Sequence, residues 1–203
     1  MNKKNLYILI TLILLLQLGM VRGQHPGRDE WQQPERIMDS IGVRVGMTIG
    51  EPGAGDGYFT FKLAKRVGPA GKIFANDIDE GKLKILQRQA AHETLSNITT
   101  ILGEVEDPLL PDSTMDMIVM VYVFHDLEKP EKFLGNIRKD LKKGAKLYLV
   151  ERDPERFGER YKHFLTRDEV AGLVRNGGFR VIKIIDDFPR DNIYVCIPDS
   201  ADQ

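Results

Sequence analysis

Apolar residues along this chain follow two alternating rhythms. Runs of strand character occupy residues 47–51, 72–77, 98–102, 115–123 and 146–152. Between them, apolar residues recur every three or four positions, as in Phe59, Leu63 and Val67, then Leu83, Leu86 and Ala90, then Phe133, Ile137 and Leu141. Those stripes are the core faces of amphipathic helices. Strands alternating with such helices predict a parallel sheet, because parallel neighbours need a crossover between them. Earlier in the chain, Pro34 opens a short helix with Ile37, Met38 and Ile41 on one face; the stretch before it, residues 28–33, is polar apart from Trp31. Later, Thr166 and Glu169 have the spacing of a capping box, and Gly177 with Gly178 stops the helix it announces. Residues 180–185 and 193–197, joined by a polar turn containing Pro189, read as antiparallel neighbours closing one edge.

Residues 1–23 obey a different rule. Lys3 and Lys4 precede an apolar run over residues 6–16, interrupted only by Thr11, that continues through Leu18, Met20 and Val21. This is the pattern of a signal peptide, and at roughly 16 residues it is shorter than the ~20 of an ordinary membrane span. The expected organisation is therefore a signal peptide or membrane anchor at 1–23, a lead-in with one helix at 24–46, and a single domain at 47–198. With both lysines ahead of the run, the domain is expected outside the cytoplasm, exported or anchored, and touching the membrane only through this segment.

Charge narrows the partners. The 29 basic and 30 acidic residues nearly cancel, so the basic excess that nucleic-acid binding requires is missing. Cys196 is the single cysteine and has no partner for an internal disulfide; space-filling in a late strand is its expected role. Histidines, the cysteine and acids never cluster at ligand spacing, and no metal is expected.

The informative stretch is Gly50, Glu51, Pro52, Gly53, Ala54, Gly55, Asp56, Gly57, where a strand runs into glycines and then a helix. Asp77 closes the second strand about 20 residues after the last glycine, where a carboxylate can accept ribose hydroxyls. A dinucleotide would bring a pyrophosphate, which favours bare N–H groups and no adjacent anion. Here Glu51 ends the first strand and Glu104 follows the third. Such acids complement a cationic nucleoside, and S-adenosylmethionine (SAM), with its sulfonium and amino group, is one. The spacing agrees, since Gly53, Gly55 and Gly57 make G-x-G-x-G, and Tyr58 stands where the dinucleotide fingerprint wants its third glycine.

Glu51 to Gly57 resembles motif I of the class I SAM-dependent methyltransferases, and the similarity extends in order across nearly the whole chain after Arg28. The resemblance implies an α/β, Rossmann-like fold of seven strands, mostly parallel with the last strand reversed and helices on both faces. It implies SAM as cofactor, held by Glu51, Gly53, Ala54, Gly55 and Gly57. Asp77 would hold the ribose, Ile78 would lie beside the adenine, and Glu104 with Val105 near the adenine amino group. Met115 to Val119 resembles the strand-four motif, and Val121, Tyr122, Val123, Phe124, His125 resembles a bacterial subgroup acting on small molecules. Pro52 and Asp56 depart from the family pattern and leave the glycines intact.

Methyl transfer is an in-line displacement in which positioning does most of the work, so a base is needed only when the acceptor must lose a proton. His125, beyond the fourth strand, is the candidate catalytic base or acceptor-positioning group; helix capping or packing is the other reading of the same residue. Tyr122 is read as a wall of the cofactor pocket. Glu151 and Arg152 at the end of the fifth strand, with Tyr161 and His163 beyond it, are candidates to face a small-molecule acceptor, while residues 153–160 read as a solvated charged face. A SAM-binding domain without transferase activity, and an NAD-binding oxidoreductase, are the alternatives.

Overall fold

The strand runs join one seven-stranded sheet in a computed structural model that describes residues 26–156 and 163–199. The expected leader at 1–23 and Tyr161 lie outside the described residues. The described residues fall into two units, divided between Gln33 and Pro34. In the first, the described part is helix α1 (Pro26–Gln32), where Arg28 Nε donates to Gln32 Oε1 one turn on at 2.7 Å. The polar stretch carries no apolar periodicity to announce this helix.

The second unit runs α2 (Pro34–Ile41), β1 (Thr48–Pro52), α3 (Tyr58–Val67), β2 (Lys72–Asp77), α4 (Glu80–His92), β3 (Ile98–Leu102), β4 (Met115–Val121), α5 (Pro130–Ile137), β5 (Leu141–Arg152), α6 (Arg167–Asn176), β6 (Phe179–Ile185) and β7 (Asp191–Pro198). The strand order is β3-β2-β1-β4-β5-β7-β6, with β7 antiparallel to both neighbours and the remaining pairings parallel. This is the Rossmann-like, mostly parallel architecture with a reversed last strand. The last strand lies inside the sheet, and β6 takes the edge.

Strand alternation explains the two cores. Met117 and Val119 of β4, Tyr148 and Val150 of β5, and Ile193 and Val195 of β7 face α2 and α3, which bury Ile37, Met38, Phe59 and Leu63 against them. Their neighbours Ile118, Met120, Leu147, Leu149, Tyr194 and Cys196 face α5 and α6, which bury Phe133, Ile137, Val170 and Val174. Strands buried on both faces read as near-continuous apolar runs, as these do. Each fully buried Leu or Ile contributes ~1.5–3 kcal/mol. Thr166 with Glu169 completes the expected capping box on α6, and Asp79, which the sequence reading did not single out, caps α4 by accepting Lys82 N–H.

Several boundaries differ from the sequence reading, among them the start of β5, at Leu141 and not at residue 146, and that of β7, at Asp191 and not at residue 193. β4 stops at Val121 because Tyr122 adopts φ 58, which no strand residue does. α5 ends at Ile137, followed by a 3₁₀ turn (Arg138–Asp140), so Leu141 faces the core as the first residue of β5 and not as a fourth helical turn. The expected solvated face also begins differently, because Asp153 is buried and accepts Arg156 Nε and Arg167 Nη2, each at 3.2 Å. The Arg156 guanidinium donates onward to the carbonyls of Phe188 and Asp186, tying the β6–β7 turn down.

Asp140, in the 3₁₀ turn before β5, is fully buried and neither carboxylate oxygen has a hydrogen-bond partner. Burial pushes its pKa up to about 7; Lys139 opposes this, and Asp107 and Asp112 add to it. The raised folded value means that stability is fully present below the unfolded pKa of 3.8 and is lost as the pH climbs through about 7. Each pKa unit corresponds to ~1.4 kcal/mol. Asp140→Asn should therefore narrow the gap between melting temperatures at pH 5 and pH 8 by several degrees, measured by circular dichroism. An unchanged gap would show that Asp140 does not titrate in this range.

Candidate functional site

The strand order reverses between β1 and β4, the place where open α/β sheets hold ligands beyond the carboxyl ends of their strands. Because β3, β2, β1, β4 and β5 are consecutive neighbours, the residues at their carboxyl ends line one edge. In that order the edge carries Glu104 and Val105, then Asp77 and Ile78, then Glu51 and the glycine loop, then Tyr122 and His125, then Glu151. Most of the sequence-predicted site residues are thereby brought together by topology alone.

The glycine loop is built around left-handed backbone. Gly53, Gly55 and Gly57 have φ of 75°, 58° and 98°, a region that side chains rarely adopt. At Gly53 a side chain would also collide with Val123, which packs directly on the loop, whereas at Gly55 a Cβ would meet nothing within 4 Å. The loop therefore leans on the segment after β4 and opens at Gly55. Two hydrogen bonds hold it to the tip of β2: Ala54 N–H to Asn76 O at 2.8 Å, and Gly55 N–H to Asp77 Oδ2 at 2.8 Å. Asp77 Oδ1 accepts Asp79 N–H at 2.9 Å, so this carboxylate organises both the glycine loop and the start of α4. Asp56 is exposed and α3 begins without a side-chain cap.

Glu51 is buried at the end of β1 and accepts the Thr60 hydroxyl at 2.6 Å. The rim around it is open and partly apolar. Ile78 is 61% exposed and Val105 is 40% exposed, and Glu104 is exposed where a tight turn joins its N–H to Asp107 O at 2.7 Å.

On the other side of the glycine loop, Glu151 is buried at the end of β5 and uses both oxygens on the turn after β4. Oε1 accepts Phe124 N–H at 2.8 Å, and Oε2 lies 2.6 Å from His125 Nδ1. His125 Nε2 lies 3.6 Å from Asp126 Oδ2. Burial, the largest single influence, pulls the imidazole pKa down, but the hydrogen bond and charge of Glu151 and the charge of Asp126 outweigh it and hold the group above its ordinary 6.5. Phe164 packs edge-on against the His125 ring at 4.9 Å, and exposed His163 stacks on Phe164 at 4.0 Å, its ring 5.9 Å from that of His125. The Arg152 guanidinium lies 5.2 Å from the Tyr122 ring and 5.4 Å from that of Phe164. Among the described residues no group of three or more His, Cys, Asp or Glu is placed to hold a metal.

Three residues here escaped the sequence reading. Thr60 holds Glu51 from the first turn of α3. Asn76 donates to the carbonyls of Ile101 and Pro108, fixing the loop after β3 where a side chain on Gly103 would collide with it. Asp191 accepts the Tyr122 hydroxyl at 2.6 Å from 69 positions away. Only Asn76, beside Asp77 at a strand tip, had any local signal.

Known proteins share this fold. A SAM-dependent methyltransferase from Aquifex aeolicus superposes with a TM-score of 0.78 at 28% identity, over 85% of this chain and 93% of that one. The geranyl diphosphate C-methyltransferase of Streptomyces coelicolor superposes at 0.67 with 13% identity, over 85% of this chain and 80% of that one, a likeness of fold. The ubiquinone/menaquinone biosynthesis C-methyltransferase of Escherichia fergusonii is 30% identical over 115 residues, 56% of this chain and 46% of that protein. The chain thus spans about half the length of the curated relatives it matches. Residues 44–174 match the family described as a methyltransferase domain, and the chain belongs to that family.

Proposed function

We propose that this protein transfers a methyl group from SAM to a small-molecule acceptor. The observation that carries the reading is the pairing of an open glycine loop with carboxylates at the carboxyl ends of adjacent strands. Glu51 stands one residue before the end of β1, Asp77 ends β2, and Glu104 follows β3. These acids suit a ligand that is cationic at one end and a nucleoside at the other, and they oppose a pyrophosphate. Gly55, where a Cβ would meet nothing, leaves room for a ligand against the backbone. Bound there, SAM supplies an activated methyl carbon, open to in-line attack.

The chain's own residues do the remaining work. Glu51, Gly53, Ala54, Gly55 and Gly57 form the cradle, Asp77 and Ile78 the ribose and adenine side, Glu104 and Val105 the far rim, and Tyr122 the wall beside the loop. His125 is the candidate base, supported by its pairing with Glu151, which orients the ring and, against the burial that pulls it down, holds its pKa above the ordinary value. Arg152 and His163 flank the same edge through Tyr122 and Phe164. Small relatives of the fold that act on small molecules, such as the geranyl diphosphate enzyme, support an acceptor of that size.

Calorimetry on the purified protein tests the cofactor. SAM or S-adenosylhomocysteine should bind and NAD should not; binding of NAD alone would overturn the reading. Asp77→Ala should weaken binding by roughly 1–3 kcal/mol, because it strands Gly55 N–H and Asp79 N–H as well as the ribose. For His125, an NMR titration should place the imidazole pKa above 6.5 and show it falling in Glu151→Gln. An imidazole indifferent to that substitution would remove the pair as a proton-handling unit.

A further inference from the structure

Tyr122 is the residue on which β4 turns into the cleft. Its φ of 58° lies where a bulky aromatic is strained, and strain of this kind persists only when its surroundings impose it. Two tethers impose it here. The backbone N–H donates to Val150 O at 2.9 Å, and the hydroxyl donates to Asp191 Oδ2 at 2.6 Å. The consequence of the turn is that the next residue, Val123, packs on Gly53 of the glycine loop, closely enough that no side chain fits at Gly53.

Asp191 is unusual in its own right. It opens β7 opposite Arg152 of β5, is 1% exposed, and leaves its second oxygen, Oδ1, buried without a hydrogen-bond partner. A buried carboxylate with one orphaned oxygen destabilises the fold and calls for an explanation. Burial pushes its pKa up to about 6, with the Tyr122 hydroxyl and Arg152 pulling it down and Glu151 pushing it up. Burial and the neighbouring Asp191 carboxylate raise the Tyr122 phenol well above its ordinary 10, so the phenol remains a donor throughout the physiological range.

We propose that Asp191 is a positioning residue for the cofactor cleft: by accepting the Tyr122 hydroxyl it holds Tyr122 in its left-handed conformation, and through Val123 it sets the glycine loop. The carboxylate does this from the reversed strand, on the opposite side of β5 from β4, and so couples the late part of the chain to the first glycine loop. The inference rests on the reading that this cleft binds SAM, but the positioning itself can be measured without ligand.

Crystal structures of Asp191→Ala and Asp191→Asn test the positioning directly. In Asp191→Ala the φ of Tyr122 should leave the positive region and Val123 should withdraw from Gly53. Asp191→Asn keeps an oxygen that can accept the hydroxyl and should preserve both. A 122–124 backbone unchanged in Asp191→Ala would overturn the proposal. Calorimetry with S-adenosylhomocysteine then reads the consequence. Asp191→Ala and Tyr122→Phe should each weaken binding by about tenfold, the scale of one hydrogen bond to a charged group. The double variant should be no worse than the poorer single, since both remove the same link. Melting curves establish that each variant is folded at the assay temperature. Additive losses, or a lowered melting temperature with unchanged affinity, would reduce Asp191 to a structural residue. Wild-type protein that fails to bind S-adenosylhomocysteine would sink the SAM reading alone, and the ligand-free structures would still decide the role of Asp191.

Discussion

A carboxylate at a strand tip, Asp77, accepts Gly55 N–H through one oxygen and Asp79 N–H through the other. The first bond fixes the glycine loop that follows β1; the second fixes the entry to α4 after β2. Both loops leave the same end of the sheet, and without a shared anchor their backbone N–H groups would have to find separate partners. This one group joins the two loops, because the loop around Gly55 is otherwise held to β2 by a single backbone bond, from Ala54 to Asn76.

The rest of the fold presents that anchor to a ligand. The strands buried on both faces, β4 and β7 above all, stack apolar side chains alternately into two cores, and their polar residues lie toward the strand ends. At the carboxyl ends those polar residues are mostly acidic, which gives the edge its preference for a cation over a phosphate. Beyond β4 and β5 the hydrogen bonding becomes denser: Glu151 clamps the turn carrying His125, Asp191 holds Tyr122, and Asp153 gathers Arg156 and Arg167. One side of the cleft is thus an open, partly apolar rim and the other a rigid polar network, a division suited to a cofactor on the first and chemistry on the second.

Much of this was legible in the residues. β2 and β3 begin and end where their apolar runs do, and the capping box of α6 forms as its Thr166 and Glu169 spacing predicts. Periodicity failed where two structures satisfy it equally. Leu141 fits the stripe of Phe133 and Ile137, and it reaches the same core from a strand. α1 was invisible because its residues show no apolar face. The glycine-loop side of the edge was legible because Glu51 and the glycines adjoin in sequence and Asp77 ends the very next strand. Its other side was less so, since Tyr122 and Asp191, or His125 and Glu151, meet only once the sheet has assembled, and no local pattern marks a residue whose partner lies on another strand.

Acids around a left-handed glycine loop are proposed to hold a cationic nucleoside, with Asp77 serving loop and ribose together. A crystal structure with S-adenosylhomocysteine tests this most directly. The ribose hydroxyls should lie within hydrogen-bonding distance of Asp77 while Gly55 N–H keeps its bond, and the adenine should lie between Ile78 and Val105. A ligand seated elsewhere on the sheet, or a ribose that leaves Asp77 untouched, would contradict it.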